Sequence, residues 1–164
     1  MRRYSKLFDY ILLAAILIGL FISSSTPYYK QDMRGTLSEM AGETNWGDRM
    51  ADWSFQYAGK EISVEEKGIG GFIEFLLRKA THFSVFAVLA LSFYRVFRHR
   101  LSFPVALPWS AFFSLLVAVL DEWHQTFTPD RTGMVGDVLL DAFGSVCMLV
   151  VVTIVYLYSR KTMS

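Results

Sequence analysis

Residues 101–120 read LSFPVALPWSAFFSLLVAVL, twenty positions without an Asp, Glu, Lys or Arg. A helix of that length spans about 30 Å, the thickness of a bilayer's hydrocarbon core. Three more apolar blocks lie around it. Residues 7–25 carry one acid, Asp9; residues 80–97 are interrupted by His82 and Arg95; residues 138–158 carry one acid, Asp141. Backbone groups in lipid must pair within their own segment, so each block is expected to be helical. Pro104 and Pro108 suit a helix entry near Pro108 or a kink. The expected fold is an all-α membrane protein, one domain over 1–164, with transmembrane helices at about 7–25, 80–97, 103–122 and 138–158.

Composition agrees with this reading. Hydrophobic residues make up 53% of the 164 and charged residues 19%, below the roughly 25% charged of soluble domains. Disorder, collagen and coiled coil are excluded for the whole chain, and a water-soluble globule is disfavoured. A net charge of +1 excludes nucleic-acid binding by bulk positive charge. The single cysteine, Cys147, excludes an internal disulfide framework and reads as filler among or outside the helices. The first block also fits a secretory leader, because Arg2, Arg3 and Lys6 precede an apolar run ending in Ser23, Ser24 and Ser25, but it lacks an Ala-x-Ala cleavage site.

Basic residues near span ends set the expected orientation. Arg2, Arg3 and Lys6 precede the first span, Arg95, Arg98 and Arg100 lie between the second and third, and Arg160 and Lys161 follow the fourth. Both termini are therefore expected in the cytoplasm, although Arg78, Lys79 and Arg131 at outer span ends count against this. Of the fifteen acids, only Asp9 then falls on the cytoplasmic side. His99, within the basic turn, is expected to be solvated.

Residues 26–71 form the one large outer segment. Thr36 to Met40 suit a short helix, and the alternation of Phe55, Tyr57, Ile62 and Val64 around Ala58-Gly59 suits a small hairpin. Tyr28 and Tyr29 follow Pro27 as interfacial aromatics would, and Trp46 and Trp53 are expected as interface anchors.

Polar residues concentrate where the last three spans meet the outer surface. Glu74, Arg78 and His82 stand four apart, so they share a helical face. The third span ends Asp121-Glu122-Trp123-His124-Gln125, and its continuation as helix would align Asp121, His124 and Gln125 while Glu122 points elsewhere. The fourth span places Asp137, Asp141, Gly144 and Met148 on one stripe. A carboxylate within a span costs roughly 2.5–3.5 kcal/mol by insertion scales. Asp141 therefore needs a partner, with Arg78, His82 and Arg131 the groups at that depth, and Gly144 would admit a neighbouring helix closely. Two readings stand. The groups either tie three helices together or line an outward polar pocket, and their number favours the pocket. Arg78, Lys79 and Arg131 suit a phosphate or pyrophosphate. His82 paired with a carboxylate such as Glu122 suits general acid–base chemistry. His82, His124, Asp121, Glu122, Asp137 and Asp141 could also ligate a divalent metal, though no metal-binding motif is present.

At these residues the chain resembles the VanZ-like family of bacterial membrane proteins. The resemblance rests on Ser23 to Tyr28 with Gln31 and Asp32, on Arg78-Lys79-Ala80-Thr81-His82-Phe83, and on Asp121, Glu122, Gln125, Phe127, Pro129, Arg131, Asp137 and Gly144. It covers most of the chain outside the middle of the outer loop. One departure is Asp141, where the family pattern commonly has Asn. The resemblance implies a multi-pass protein of the bacterial cytoplasmic membrane associated with lowered susceptibility to teicoplanin-type glycopeptides. The target of those antibiotics, a lipid-linked cell-wall precursor, bears a pyrophosphate that Arg78, Lys79 and Arg131 could meet. Three functions are therefore expected to compete. One is binding or modification of a cell-wall lipid or surface component through the outer pocket. Another is a hydrolase or transferase acting on a lipid-linked phosphate, with His82 or Glu122 as base. The last is a docking protein that uses its outer loop.

Overall fold

The computed structural model describes residues 2–44 and 49–162; Trp46 lies outside the described residues. Four long helices alternate in direction. They are α1 (Arg2–Ser25), α3 (Val64–Arg98), α4 (Phe103–Gln125) and α5 (Val135–Thr162), each long and apolar enough to cross a membrane. Between α1 and α3 lie a 3-10 turn (Tyr28–Lys30), the short helix α2 (Arg34–Gly42) and a hairpin of β1 (Ser54–Tyr57) and β2 (Lys60–Ser63). The fold is thus an all-α multi-pass membrane protein with a small loop domain at one end. That end is called the loop end here, and the opposite one the termini end.

Burial along α1 shows which medium surrounds the bundle. Leu7, Phe8, Ile11, Ile18, Phe21 and Ile22 face outward, whereas Asp9 and Ser24 are 3% and 2% exposed. A water-soluble helix buries its apolar stripe and exposes its polar residues. The inverse arrangement is stable where lipid covers the outer face.

Small side chains let the other three helices approach. Ala106, Ser110, Ser114 and Ala118 recur every fourth residue along α4, and all are fully buried. Such rows permit close van der Waals packing where no hydrophobic drive acts between helices. A Cβ on Gly144 of α5 would overlap the backbone carbonyl of Phe83 in α3, so these two helices touch along their main chains. Phe86, Leu89 and Phe93 of α3 pack with Ala118 to form the apolar core below the site.

The helix that carries the second span begins at Val64, sixteen residues before the expected span start at 80. Ser63 caps α3 by accepting a hydrogen bond from the Glu66 amide at 3.1 Å, and Gly68 (φ 68°) kinks the helix one turn later. At about 1.5 Å per residue, the 35 residues of α3 exceed the bilayer core, so the first turns stand in the loop domain. Gly70 there admits α2, because a Cβ would strike the Arg34 carbonyl oxygen and the Ser38 hydroxyl. The hairpin forms around Ala58 (φ 49°) and Gly59 (φ 78°), the left-handed pair of a tight two-residue turn. Phe55 and Tyr57 pack on Phe72 and Phe75 of α3, so the hairpin is seated against this helix. The third spanning helix, α4, begins at Phe103 with Pro104 in its first turn, and Pro108 lies inside it.

At the termini end Asp9 accepts from the Arg95 side chain at 2.7 Å and lies 2.9 Å from His99 Nε2. His99 is therefore paired with a buried acid and not solvated as expected, because α1 brings the Asp9 carboxylate against it.

Candidate functional site

The three helix ends and the 126–134 connection converge at the loop end. Asp121, Glu122 and Gln125 project inward from the last turns of α4, at 6%, 4% and 6% exposure. The expected alignment of His124 with Asp121 and Gln125 is incorrect. Glu122 takes the inward place, while His124 stacks on Phe21 with ring centres 4.9 Å apart. The inward face continues the row from Ala106 to Ala118, whose next fourfold step is residue 122. Glu122 thus lies centrally, with Asp121 and Gln125 beside it.

Each acid has a distinct set of partners. Asp121 accepts from Ser24 Oγ at 2.5 Å and from Gln125 Nε2 at 2.8 Å. Glu122 accepts from Gln125 Nε2 at 3.2 Å and from the Met134 amide at 2.9 Å. Glu74 accepts from the Tyr28 hydroxyl at 2.7 Å, the Met33 amide at 3.0 Å and Arg78 at 3.1 Å. Asp137 accepts from Lys79 Nζ at 2.5 Å and Tyr57 Oη at 2.6 Å. Burial and the Asp137 contact raise the Tyr57 phenol above its ordinary pKa, keeping it a neutral donor. Asp141 is fully buried, and neither carboxylate oxygen has a hydrogen-bond partner. Of the three groups expected near it, His82 alone lies close, with Nδ1 3.5 Å from Oδ1.

Arg131 is tied down by neutral oxygens. It donates to Gln31 Oε1 at 2.6 Å, Gln125 Oε1 at 3.2 Å and the Ser23 carbonyl at 3.2 Å. Among the described residues no carboxylate lies within ion-pair distance of it, and its buried Nε has no partner. Burial and the neighbouring charge of Arg78 lower its pKa, and the more distant charges of Asp121 and Glu122 offset this only in part.

A cavity of about 460 Å³ opens beside these groups, lined by Ser23, Lys30, Gln31, Asp32, Met33, Glu74, Leu77, Arg78, Thr81, His82 and Arg131. A second, apolar hollow of about 250 Å³ descends between α1 and α3 along Ile16, Gly19, Leu20 and Val85. The two share Ser23, Thr81 and His82 in their linings, so a polar chamber at the surface meets an apolar groove in the span.

Sequence reasoning named Arg78, Lys79, His82, Asp121, Glu122, His124, Gln125, Arg131, Asp137 and Asp141; the structure gathers nine of the ten around this site, while His124 turns away to stack on Phe21. It omitted Ser24, Tyr28, Gln31 and Tyr57 as site residues. Ser24, Tyr28 and Gln31 do stand in the stretch after the first span that carried the family resemblance. Tyr57 had no such signal, since its role comes from hairpin docking.

A family model described as VanZ/LLP1 matches residues 8–156. No curated protein matches the chain, and no solved structure does. The match spans nearly the whole chain, including every residue of the cavity and groove, and the chain belongs to the VanZ/LLP1 family.

Proposed function

We propose that this VanZ/LLP1-family protein binds the phosphate or pyrophosphate headgroup of a cell-wall lipid in its loop-end cavity and thereby lowers susceptibility to teicoplanin-type glycopeptides. In this reading the loop end faces outward and both termini are cytoplasmic. The carrying observation is Arg131, half-buried, with no carboxylate within ion-pair distance among the described residues, and lining one cavity together with Arg78. An anion between two such groups relieves their repulsion and gains charge-assisted hydrogen bonds. The apolar groove between α1 and α3 supports a lipid over a free phosphate, because it offers a hydrocarbon chain a place beside the headgroup.

Arg131→Ala in cells that depend on this protein for protection is expected to return teicoplanin susceptibility to the level of cells without it, with the variant still accumulating in the membrane. Full protection by an accumulating Arg131→Ala variant would refute the reading.

One observation favours a second reading, a hydrolase or transferase acting on a lipid-linked phosphate. His82 and Glu122 bring ligating atoms within 4.8 Å of each other beside the cavity, close enough to share a water between them. Incubating the purified protein with a panel of lipid phosphates, with and without divalent metal, separates binding from turnover. Headgroup binding without product release supports the first reading alone.

A further inference from the structure

Charge does not balance where α3, α4 and α5 meet at the loop end. Five carboxylates of these helices, Glu74, Asp121, Glu122, Asp137 and Asp141, stand with three cations, Arg78, Lys79 and Arg131; Lys30 also lines the cavity but is within ion-pair distance of none of the five. Arg78 pairs with Glu74 and Lys79 with Asp137. Asp121, Glu122 and Asp141 remain, all buried. Arg131 reaches none of them, because the Gln125 side chain stands between, accepting from Arg131 and donating to Asp121 and Glu122. Buried carboxylates need compensation close at hand.

The geometry points to a divalent cation held by His82, Asp121 and Glu122, with Asp141 behind the imidazole as its orienting carboxylate. One ligating atom from each of the three residues lies within 4.8 Å of the others. Ligands on a common ion at about 2.1 Å sit roughly 3–3.5 Å apart, so a closure of little more than an ångström would seat it. The hydrogen bonds that Asp121 and Glu122 accept leave lone pairs free on both.

Asp141 supplies a second, independent observation. Its carboxylate is fully buried without a hydrogen bond and is directed at Nδ1 of His82, a nitrogen that also has no partner. A metal-bound histidine characteristically donates its other ring N–H to a carboxylate, which fixes the tautomer and the ring plane. An ion on Nε2 would turn Nδ1–H toward Asp141 and give that nitrogen and Oδ1 the partner each lacks. A set of one nitrogen and two carboxylates suits Mn²⁺ or Zn²⁺ better than Ca²⁺ or Mg²⁺. His82 lines both hollows, so the open positions of such an ion face the space where an anion would enter. The ion site does not depend on the lipid reading, since occupancy is measurable with no lipid added.

The test uses the full chain in detergent, stripped with chelator and dialysed against Mn²⁺ or Zn²⁺ alone. Bound metal is expected to approach one ion per chain, with Mn²⁺ showing spin coupling to one imidazole nitrogen. Asp141→Asn is expected to weaken binding about 10- to 100-fold. His82→Gln should abolish the nitrogen coupling, and Glu122→Gln should weaken binding at least as much as Asp141→Asn. Binding well below one ion per chain, or Mn²⁺ binding unchanged in His82→Gln and Glu122→Gln, would overturn the assignment and leave protons as the compensating charge. Should Glu122→Gln fail to fold, the nitrogen coupling in wild type against His82→Gln decides alone.

Discussion

Replacing Gly144 by Ala tests whether the α3–α5 contact sets the geometry of the site. The added Cβ would overlap the Phe83 carbonyl oxygen and lie 3.1 and 3.2 Å from its carbonyl carbon and Cα. All three are main-chain atoms, so no side chain can turn aside. Carbon–oxygen contacts of this kind normally settle at about 3.3–3.6 Å, so the helices must part by roughly an ångström. Overpacking of this sort costs about 1–3 kcal/mol. In a soluble helix Gly→Ala would return about 1 kcal/mol of propensity. Unfolding in SDS leaves spans helical in both states, so that gain largely cancels. A loss of about 2 kcal/mol corresponds to roughly a 30-fold fall in the folded-to-unfolded ratio. Titration of the purified protein with SDS, followed by tryptophan fluorescence, reads this directly. Gly19→Ala is the control, since a Cβ there meets nothing within 4 Å, and it is expected to leave the midpoint unchanged. His82 and Asp141 stand one and three residues from the collision, so their 3.5 Å approach should also lengthen. A Gly144→Ala variant as stable as Gly19→Ala would refute the close main-chain contact and the site geometry that follows from it.

Two further outcomes follow from other parts of the molecule. Arg95→Ala removes the strongest partner of Asp9 and leaves a buried carboxylate with His99 alone. Because Arg95 itself is 44% exposed, the full cost of breaking a buried pair is discounted to about 1–3 kcal/mol. Asp9→Asn should cost less, since Arg95 can extend to water, and the opposite ranking in the same SDS titration would contradict the burial of Asp9. For orientation, a single cysteine at exposed Asp130, in a Cys147→Ala background, should react with a membrane-impermeant maleimide added to intact spheroplasts. Reaction only after lysis would place the loop end in the cytosol and remove the basis for binding an outer-leaflet lipid.

The four spans were legible because lipid imposes a coarse rule, and the uncharged run at 101–120 obeys it without ambiguity. The hairpin was legible for a local reason: Ala58-Gly59 sits between two alternating runs. The early start of α3 was not, because Glu65, Glu66, Lys67 and the glycines after them read as loop. The Ser63 cap and the seat that Gly70 provides for α2 make it helix, and the second of these is a tertiary contact. The misplacement of His124 had a readable remedy. Spacing measured from Asp121 alone gives two equally good faces, whereas the small-residue row at 106, 110, 114 and 118 selects the one containing Glu122. That Arg131 would be held by Gln31 and Ser23, some hundred residues away, could not be read from spacing at all.

The inverted burial of α1 has a consequence for how that helix finds its seat. A greasy rod in oil has little reason to prefer one azimuth or depth over another. Asp9 and Ser24, about 22 Å apart along the axis, act as two dowels, one entering the Arg95–His99 notch and the other the Asp121 notch. A slip of a single residue would swing both by about 100° and disengage them together, so two polar atoms index the whole rod.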